Sequence, residues 1–240
     1  MKRQSKTDVV YFVKESLSND ELKYSLRTVE KNWPCRKVWF CGGRPNGLIP
    51  DKMFRIRQQG LNKWEKVRNS IQAVCKNENI SEDFWLFNDD FFIMKPYRQS
   101  FKPQYNGSLA EYIESIRATR NGLHSQYTIR LLGTIRVLEE VGCTTLNYET
   151  HKPMLINRKK ALEVLERFAD IPGFRSLYGN YWEVGGLDNF DCKVKDLFWD
   201  DWSDWKLLST TDVSFREGEV GKYIREKFNK ISRFEKEENE

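Results

Sequence analysis

Two adjacent carboxylates, Asp89 and Asp90, interrupt an aromatic, apolar run: Phe84-Trp85-Leu86-Phe87-Asn88-Asp89-Asp90-Phe91-Phe92-Ile93-Met94. Such a run reads as a buried strand. Two ionised carboxylates buried without partners cost several kcal/mol, so a cation or a reacting proton is the natural companion. At the carboxyl end of a strand, neighbouring acids suit a divalent metal that in turn holds phosphate oxygens. The same residue types also suit a polar turn between two hairpin strands, with Asn88 and Asp89 chosen for turn geometry. The residues alone leave both readings open.

Other chemistry-bearing residues are scattered. The loop Gly42-Gly43-Arg44 offers close backbone approach and a guanidinium fork for phosphate or carboxylate; a plain turn explains it as well. His151, one of two histidines, lies in Thr150-His151-Lys152-Pro153, a loop from which it could act as a general base or donate to a phosphate oxygen. His124 has no such context and reads as structural. The cluster Phe198-Trp199-Asp200-Asp201-Trp202-Ser203-Asp204-Trp205 sets Trp199, Trp202 and Trp205 beside three acids. Sugar rings stack on indoles while acids accept hydroxyl protons, but tryptophan is as readily a packing residue. Asp200 and Asp201 are a rival metal pair.

The elements that must position these groups alternate. Asp8–Val13 is a β-branched, aromatic strand. Ser18-Asn19-Asp20-Glu21 has the form of a capping box, opening a helix over 18–31 with Leu22, Leu26 and Val29 on one face. Strands are expected over 37–41 and 53–57, then a helix over 62–77 with Trp64, Val67, Ile71 and Val74 aligned, then the strand carrying the acids. This order argues for βαβ units and a mostly parallel sheet. Beyond it, Ser108-Leu109-Ala110-Glu111 is a second capping box, and 108–142 reads as two helices inserted into the domain. A helix over 157–169 and short strands at 192–194 and 206–209 follow. Residues 1–226 read as one α/β domain, and 227–240 as a charged tail that frays.

At 240 residues, with 39% hydrophobic and 14% aromatic side chains, the chain is long enough and apolar enough for a sizeable core. A net charge of +5 suits anionic partners without requiring a polynucleotide. Five dispersed cysteines without a C-x-x-C pair indicate neither zinc nor a disulfide framework, so reduced thiols in a cytoplasm are expected. No run approaches a membrane span, and no signal-type segment follows the basic start.

Asp8-Val9-Val10-Tyr11 followed by Asn19-Asp20-Glu21-Leu22-Lys23-Tyr24-Ser25-Leu26-Arg27-Thr28-Val29-Glu30-Lys31 resembles the first conserved block of the Stealth family of sugar-phosphate transferases. Asn69-Ser70-Ile71 with Phe87-Asn88-Asp89-Asp90-Phe91-Phe92 resembles its second block, and Thr150-His151-Lys152-Pro153 its third. The likeness covers about two thirds of the chain with gaps. Phage-encoded glycosyltransferase-like chains are also similar, including at Leu177-Tyr178-Gly179-Asn180. The chain departs from the family after the first strand, where Val13-Lys14-Glu15-Ser16 replaces a Trp-Val-Asp-Gly run and Glu15 is the nearest stand-in for its Asp. The fourth block survives only around Ser214-Phe215-Arg216.

The resemblance implies a nucleotide-sugar transferase on a single-sheet fold like that of the GT-A glycosyltransferases, moving a sugar or sugar phosphate to an acceptor hydroxyl. Asp89 and Asp90 would hold Mg²⁺ or Mn²⁺. Tyr11, Gly42, Gly43, Arg44, Asn69 and Asn88 would bind the donor, most simply a UDP-sugar. His151, Asp90 and Arg27 would be catalytic, with Glu149 and Asp188 as reserve bases. Trp199 and Trp202 would hold the acceptor, either a polysaccharide or modified DNA, in a bacterial or phage-infected cytoplasm. Two alternatives stand beside this: a phage enzyme glycosylating a hydroxymethylated base, and a non-catalytic carbohydrate- or nucleic-acid-binding protein.

Overall fold

A computed structural model describes residues 6–57, 60, 62–97, 101–169 and 171–236. In chain order the elements are β1 (Asp8–Val13), α1 (Asp20–Asn32), β2 (Val38–Gly42), β3 (Lys52–Phe54), α2 (Lys63–Lys76), β4 (Asp83–Phe87) and β5 (Phe91–Ile93). They continue with β6 (Gln104–Tyr105), α3 (Leu109–Ala118), α4 (Gln126–Glu140), β7 (Met154–Asn157), α5 (Arg158–Arg167) and α6 (Phe174–Tyr181). The last are β8 (Leu187–Asp188), β9 (Lys193–Val194), β10 (Leu207–Thr210), α7 (Asp212–Arg216) and α8 (Glu219–Lys227).

The central sheet runs β3-β2-β1-β4-β7, with its first four strands parallel and β7 antiparallel at the edge. Helices flank it, so β1 and β2 are buried on both faces, as parallel strands must be. The pleat sorts their side chains: Val10, Trp39, Cys41 and Leu86 enter one core with Ile71 and Val74 of α2. Val9, Tyr11, Val13, Val38 and Phe40 enter the other with Leu22, Leu26 and Val29 of α1. From β1 the chain builds β2 and β3 to one side and β4 to the other, so the strand order reverses at the β1–β4 boundary.

Three expectations are corrected. The acidic run is not one continuous strand: β4 stops at Phe87, the chain turns through Asn88–Asp89–Asp90 with the Phe91 amide donating to the Asn88 carbonyl at 3.3 Å, and β5 enters a second sheet ordered β5-β10-β9. Helix α1 is capped by Asn19, not Ser18, with Asn19 Oδ1 accepting from the Leu22 amide at 2.9 Å. Glu21 is thereby released from a capping role. The tail from 227 does not fray over its described part: Phe234 is buried, Glu235 receives Arg27, and the Ile49 amide donates to the Phe234 carbonyl at 2.7 Å. Residues 237–240 lie outside the described residues.

The capping box at Ser108–Glu111 forms, and α3 and α4 occupy 109–140, contributing Leu109, Ile113, Leu131 and Leu138 to the first core. At the amino end of β1, Asp8 is fully buried. It accepts from Arg36 (2.7 and 2.6 Å), the Trp39 indole (2.9 Å) and the Ser81 amide (3.0 Å), tying β1, β2 and the start of β4 together. Among the described residues no helix is long and apolar enough to cross a membrane.

Candidate functional site

The carboxyl ends of β1, β2 and β4 converge. Gly43 lies so close to the loop after β1 that a Cβ there would sit 2.5 Å from the Lys14 carbonyl oxygen, and its amide donates to the Val13 carbonyl at 2.7 Å. Gly42 adopts φ 118°, a conformation glycine allows. Both glycines are buried, and the missing side chain of Gly43 lets the two loops pack. Arg44 beside them is exposed.

Asp89 Oδ2 accepts from the side chain of Asn19 at 2.8 Å, which fastens the β4 turn to the start of α1. Asp90 is buried and its Oδ2 accepts from Lys193 Nζ at 2.8 Å and Ser209 Oγ at 2.9 Å. Glu21, freed by the shifted cap, accepts from Thr210 Oγ1 at 2.6 Å. Ser209 and Thr210 are consecutive on β10 and point to opposite faces, so Asp90 and Glu21 flank the end of that strand.

Negative charge accumulates here. Burial, then the side chain of Asp212 and the charges of Asp90 and Asp89, push the Glu21 carboxyl up to about 8, against the opposing hydrogen bond from Thr210. Burial also raises Asp89, helped by the charges of Asp90 and Asp212 and opposed by Asn19. Lys193 offsets part of this charge through its ion pair with Asp90. The donor set is hard oxygen, suited to Mg²⁺ or Mn²⁺, which take one or two carboxylates and complete their shell with phosphate oxygens and water. Among the described residues no three carboxylate, imidazole or thiolate groups close on one point as a ready-made cage.

His151 is held by a residue that sequence reasoning passed over. Its Nδ1 lies 2.6 Å from Asp191 Oδ2, and Asp191 Oδ1 accepts from the His151 amide at 3.1 Å. Burial works to raise Asp191, but the hydrogen bonds and charge of His151 outweigh it and hold the carboxyl below its ordinary value. An ionised Asp191 only accepts, so Nδ1 carries the proton and Nε2 is left as the basic nitrogen. Two residues on, Lys193 binds Asp90, so the Cα atoms of Asp191 and Lys193 are at most about 7 Å apart. Between them, the Cys192 thiol donates to the His151 carbonyl at 3.0 Å. Arg175 completes the arrangement. Its guanidinium donates to the Lys152 carbonyl at 2.6 Å and lies in the fields of Glu149, Asp90 and Asp191, with burial lowering its proton affinity.

Several expected site residues are elsewhere. Arg27 is buried, with all three guanidinium nitrogens engaged by both oxygens of Glu235 (2.8 and 2.6 Å) and the Phe228 carbonyl (2.9 Å), so it anchors the tail. Tyr11 is fully buried between Phe40 and Phe87 with its hydroxyl 2.8 Å from Ser25 Oγ, out of reach of a nucleotide. Trp202 is 1% exposed in a third core with Phe92, Phe215 and Ile224, whereas Trp199, 62% exposed, packs edge-on against it. Asn88 is exposed on the turn, and Asn69 lies on the exposed face of α2. Of the reserve bases, Glu149 accepts from the Ser176 amide and Asp188 from the Gly107 amide, both at 3.0 Å. Asp200 and Asp201 are exposed.

Comparison with protein-family models and with curated proteins finds no match for this chain.

Proposed function

We propose that this chain is a transferase for a nucleotide-activated sugar, on a GT-A-like variant of the α/β fold, acting at the β1–β4 switch point. The observation that supports the reading is that Asp191, which holds His151, and Lys193, which binds Asp90, lie two residues apart, with Asp90 in the turn after β4 at the carboxyl edge of the sheet. In open α/β sheets that edge, where strand order reverses, is where nucleotides bind.

Asp89 and Asp90 would hold a divalent cation, which when bound neutralises the donor diphosphate and favours its departure. Exposed Arg44 adds positive charge at the neighbouring loop for the phosphates. His151 Nε2 removes the proton of the acceptor hydroxyl as that oxygen attacks, and Asp191 stabilises the imidazolium that forms. Attack on the anomeric carbon moves the sugar and releases nucleoside diphosphate. Attack on the β-phosphorus moves sugar phosphate and releases nucleoside monophosphate, the outcome that the Stealth resemblance implies.

The decisive experiment incubates the purified chain with a panel of UDP- and other nucleotide sugars, Mn²⁺ or Mg²⁺, and candidate acceptors, and reads product mass, which separates hexose from hexose phosphate. Asp90→Asn should lower turnover by about a hundredfold or more because it removes ligand charge; as it also takes the counterion from Lys193, folding of the variant is verified by circular dichroism. Unchanged turnover in a folded Asp90→Asn protein rules the reading out.

A further inference from the structure

Beside the carboxylate site lies a cavity of about 880 Å³ whose lining differs in kind. Lys95, Lys102, Lys152 and Lys206 contribute four ammonium groups against one acid, Asp204. Lys95 pairs with Asp204 at 2.9 Å, and Lys152 is buried, donating to the Asn189 and Phe190 carbonyls. Lys102 and Lys206 are exposed. Tyr97, Phe101, Phe190 and Trp205 line the same space, and Phe190 is 59% exposed although it is a large apolar ring.

The rings continue beyond the cavity. Phe190 meets Trp205 edge-on at 5.2 Å, and Trp205 also lines an adjoining cavity of about 290 Å³ with exposed Phe198 and Trp199. Lys193, which binds Asp90, lines that second cavity. Exposed Phe190, half-buried Trp205 and exposed Trp199 thus form a track from the lysine-edged larger cavity into the second one, where Asp196 and Asp200 join Lys193, itself paired with Asp90, in the lining. Exposed rings in a row are costly in water unless something covers them.

We propose that this track binds single-stranded nucleic acid, with bases stacking on Phe190, Trp205 and Trp199 and phosphates meeting Lys102 and Lys206. Rings for bases and cations for the backbone are the two components such sites combine. In the larger cavity, where Lys102 and Lys206 lie, the hydroxyl-binding groups a neutral glycan would need are engaged: the amides Gln104 and Asn189 bond to each other at 3.2 Å and Asp204 is held by Lys95, and acids without such a partner, Asp196 and Asp200, line only the second cavity. Resting on the transferase reading, the track names the acceptor: a nucleic-acid hydroxyl delivered toward Asp90 and His151.

The test is fluorescence anisotropy of the full chain with a fluorescein-labelled oligothymidylate of about ten nucleotides, without donor or metal. Saturable binding is expected, with log affinity falling against log salt at a slope of about −1.4, the value for two neutralised phosphates on a single strand. Phe190→Ala, and separately Lys102→Glu with Lys206→Glu, should each weaken binding about tenfold or more in variants whose circular dichroism matches the parent, these side chains being exposed. Lys66→Glu, on the exposed face of α2 and lining neither cavity, should leave the affinity unchanged beyond a small general charge effect. Absence of saturable binding, equal affinity in the track variants, or equal competition by an acidic oligosaccharide of matched charge would overturn the proposal. Because donor and metal are omitted, a chain that binds the oligonucleotide and transfers nothing refutes the transferase and leaves the track standing.

Discussion

Replacing Glu21 by Gln should stabilise the protein at alkaline pH and leave it unchanged in acid. In the fold the carboxyl holds its proton up to about pH 8, against an ordinary value of 4.5, because it is half-buried and faces Asp212, Asp90 and Asp89. The raised value sets the sign. Below pH 4.5 the group is protonated in both states and contributes nothing. Between about 4.5 and 8 the unfolded chain releases the proton while the fold retains it, so stability falls as pH rises, and above 8 the loss is complete. At about 1.4 kcal/mol per tenfold change in proton affinity the full difference corresponds to about 5 kcal/mol, and solvent screening of a partly exposed group reduces this to about 2. Gln keeps an oxygen for Thr210 and cannot ionise. Urea unfolding at pH 5 should therefore give coincident midpoints, and at pH 9 the variant should unfold about 0.7 M later, at a slope of about 3 kcal/mol per M. On the transferase reading, Mn²⁺ should narrow that gap by favouring the ionised cluster. Parallel stability curves from pH 5 to 9 would refute the argument, since they would mean that Glu21 ionises in the fold as it does in water.

Other expectations are separable by assay. His151→Ala should lower turnover far more than donor affinity, and Asp191→Asn should reduce turnover while shifting its acid-side pH profile, because the carboxylate fixes the basic nitrogen; equal losses in binding and turnover would refute a proton-transfer role. Asp8→Ala should destabilise by about 3–5 kcal/mol in chemical unfolding, since Arg36 and the Trp39 indole lose a buried partner. Arg27→Met should loosen the carboxyl-terminal segment, seen as faster amide exchange around 228–236, while leaving donor affinity unchanged; reduced donor affinity with a docked tail would restore Arg27 to the site.

What the sequence determined by itself is what local free energies decide. Strand β1, helices α1 and α2, the Ser108 cap and the parallel sheet were legible because side-chain period, caps and β-branched runs act over a few residues. The acidic pair was legible because charges inside an aromatic run demand a reason. The local signals failed where two local solutions compete, as at α1, where Asn19 capped in place of Ser18 and so placed Glu21 among the acids. Burial of individual aromatics was not legible: Trp199 and Trp202 share one motif, yet only Trp202 found a core, formed by residues from β5, β10, α7 and α8. Nor could spacing reveal Asp191, Lys193 or Arg175, whose types are common and whose significance is a partner 40 or 103 residues away for the first two. Arg27 shows the same limit in reverse, because a partner 208 residues away removes it from the chemistry. Tertiary structure decides such pairings, since a charge or hydrogen bond acts over a few ångströms and only the topology of the sheet determines which distant residues come that close.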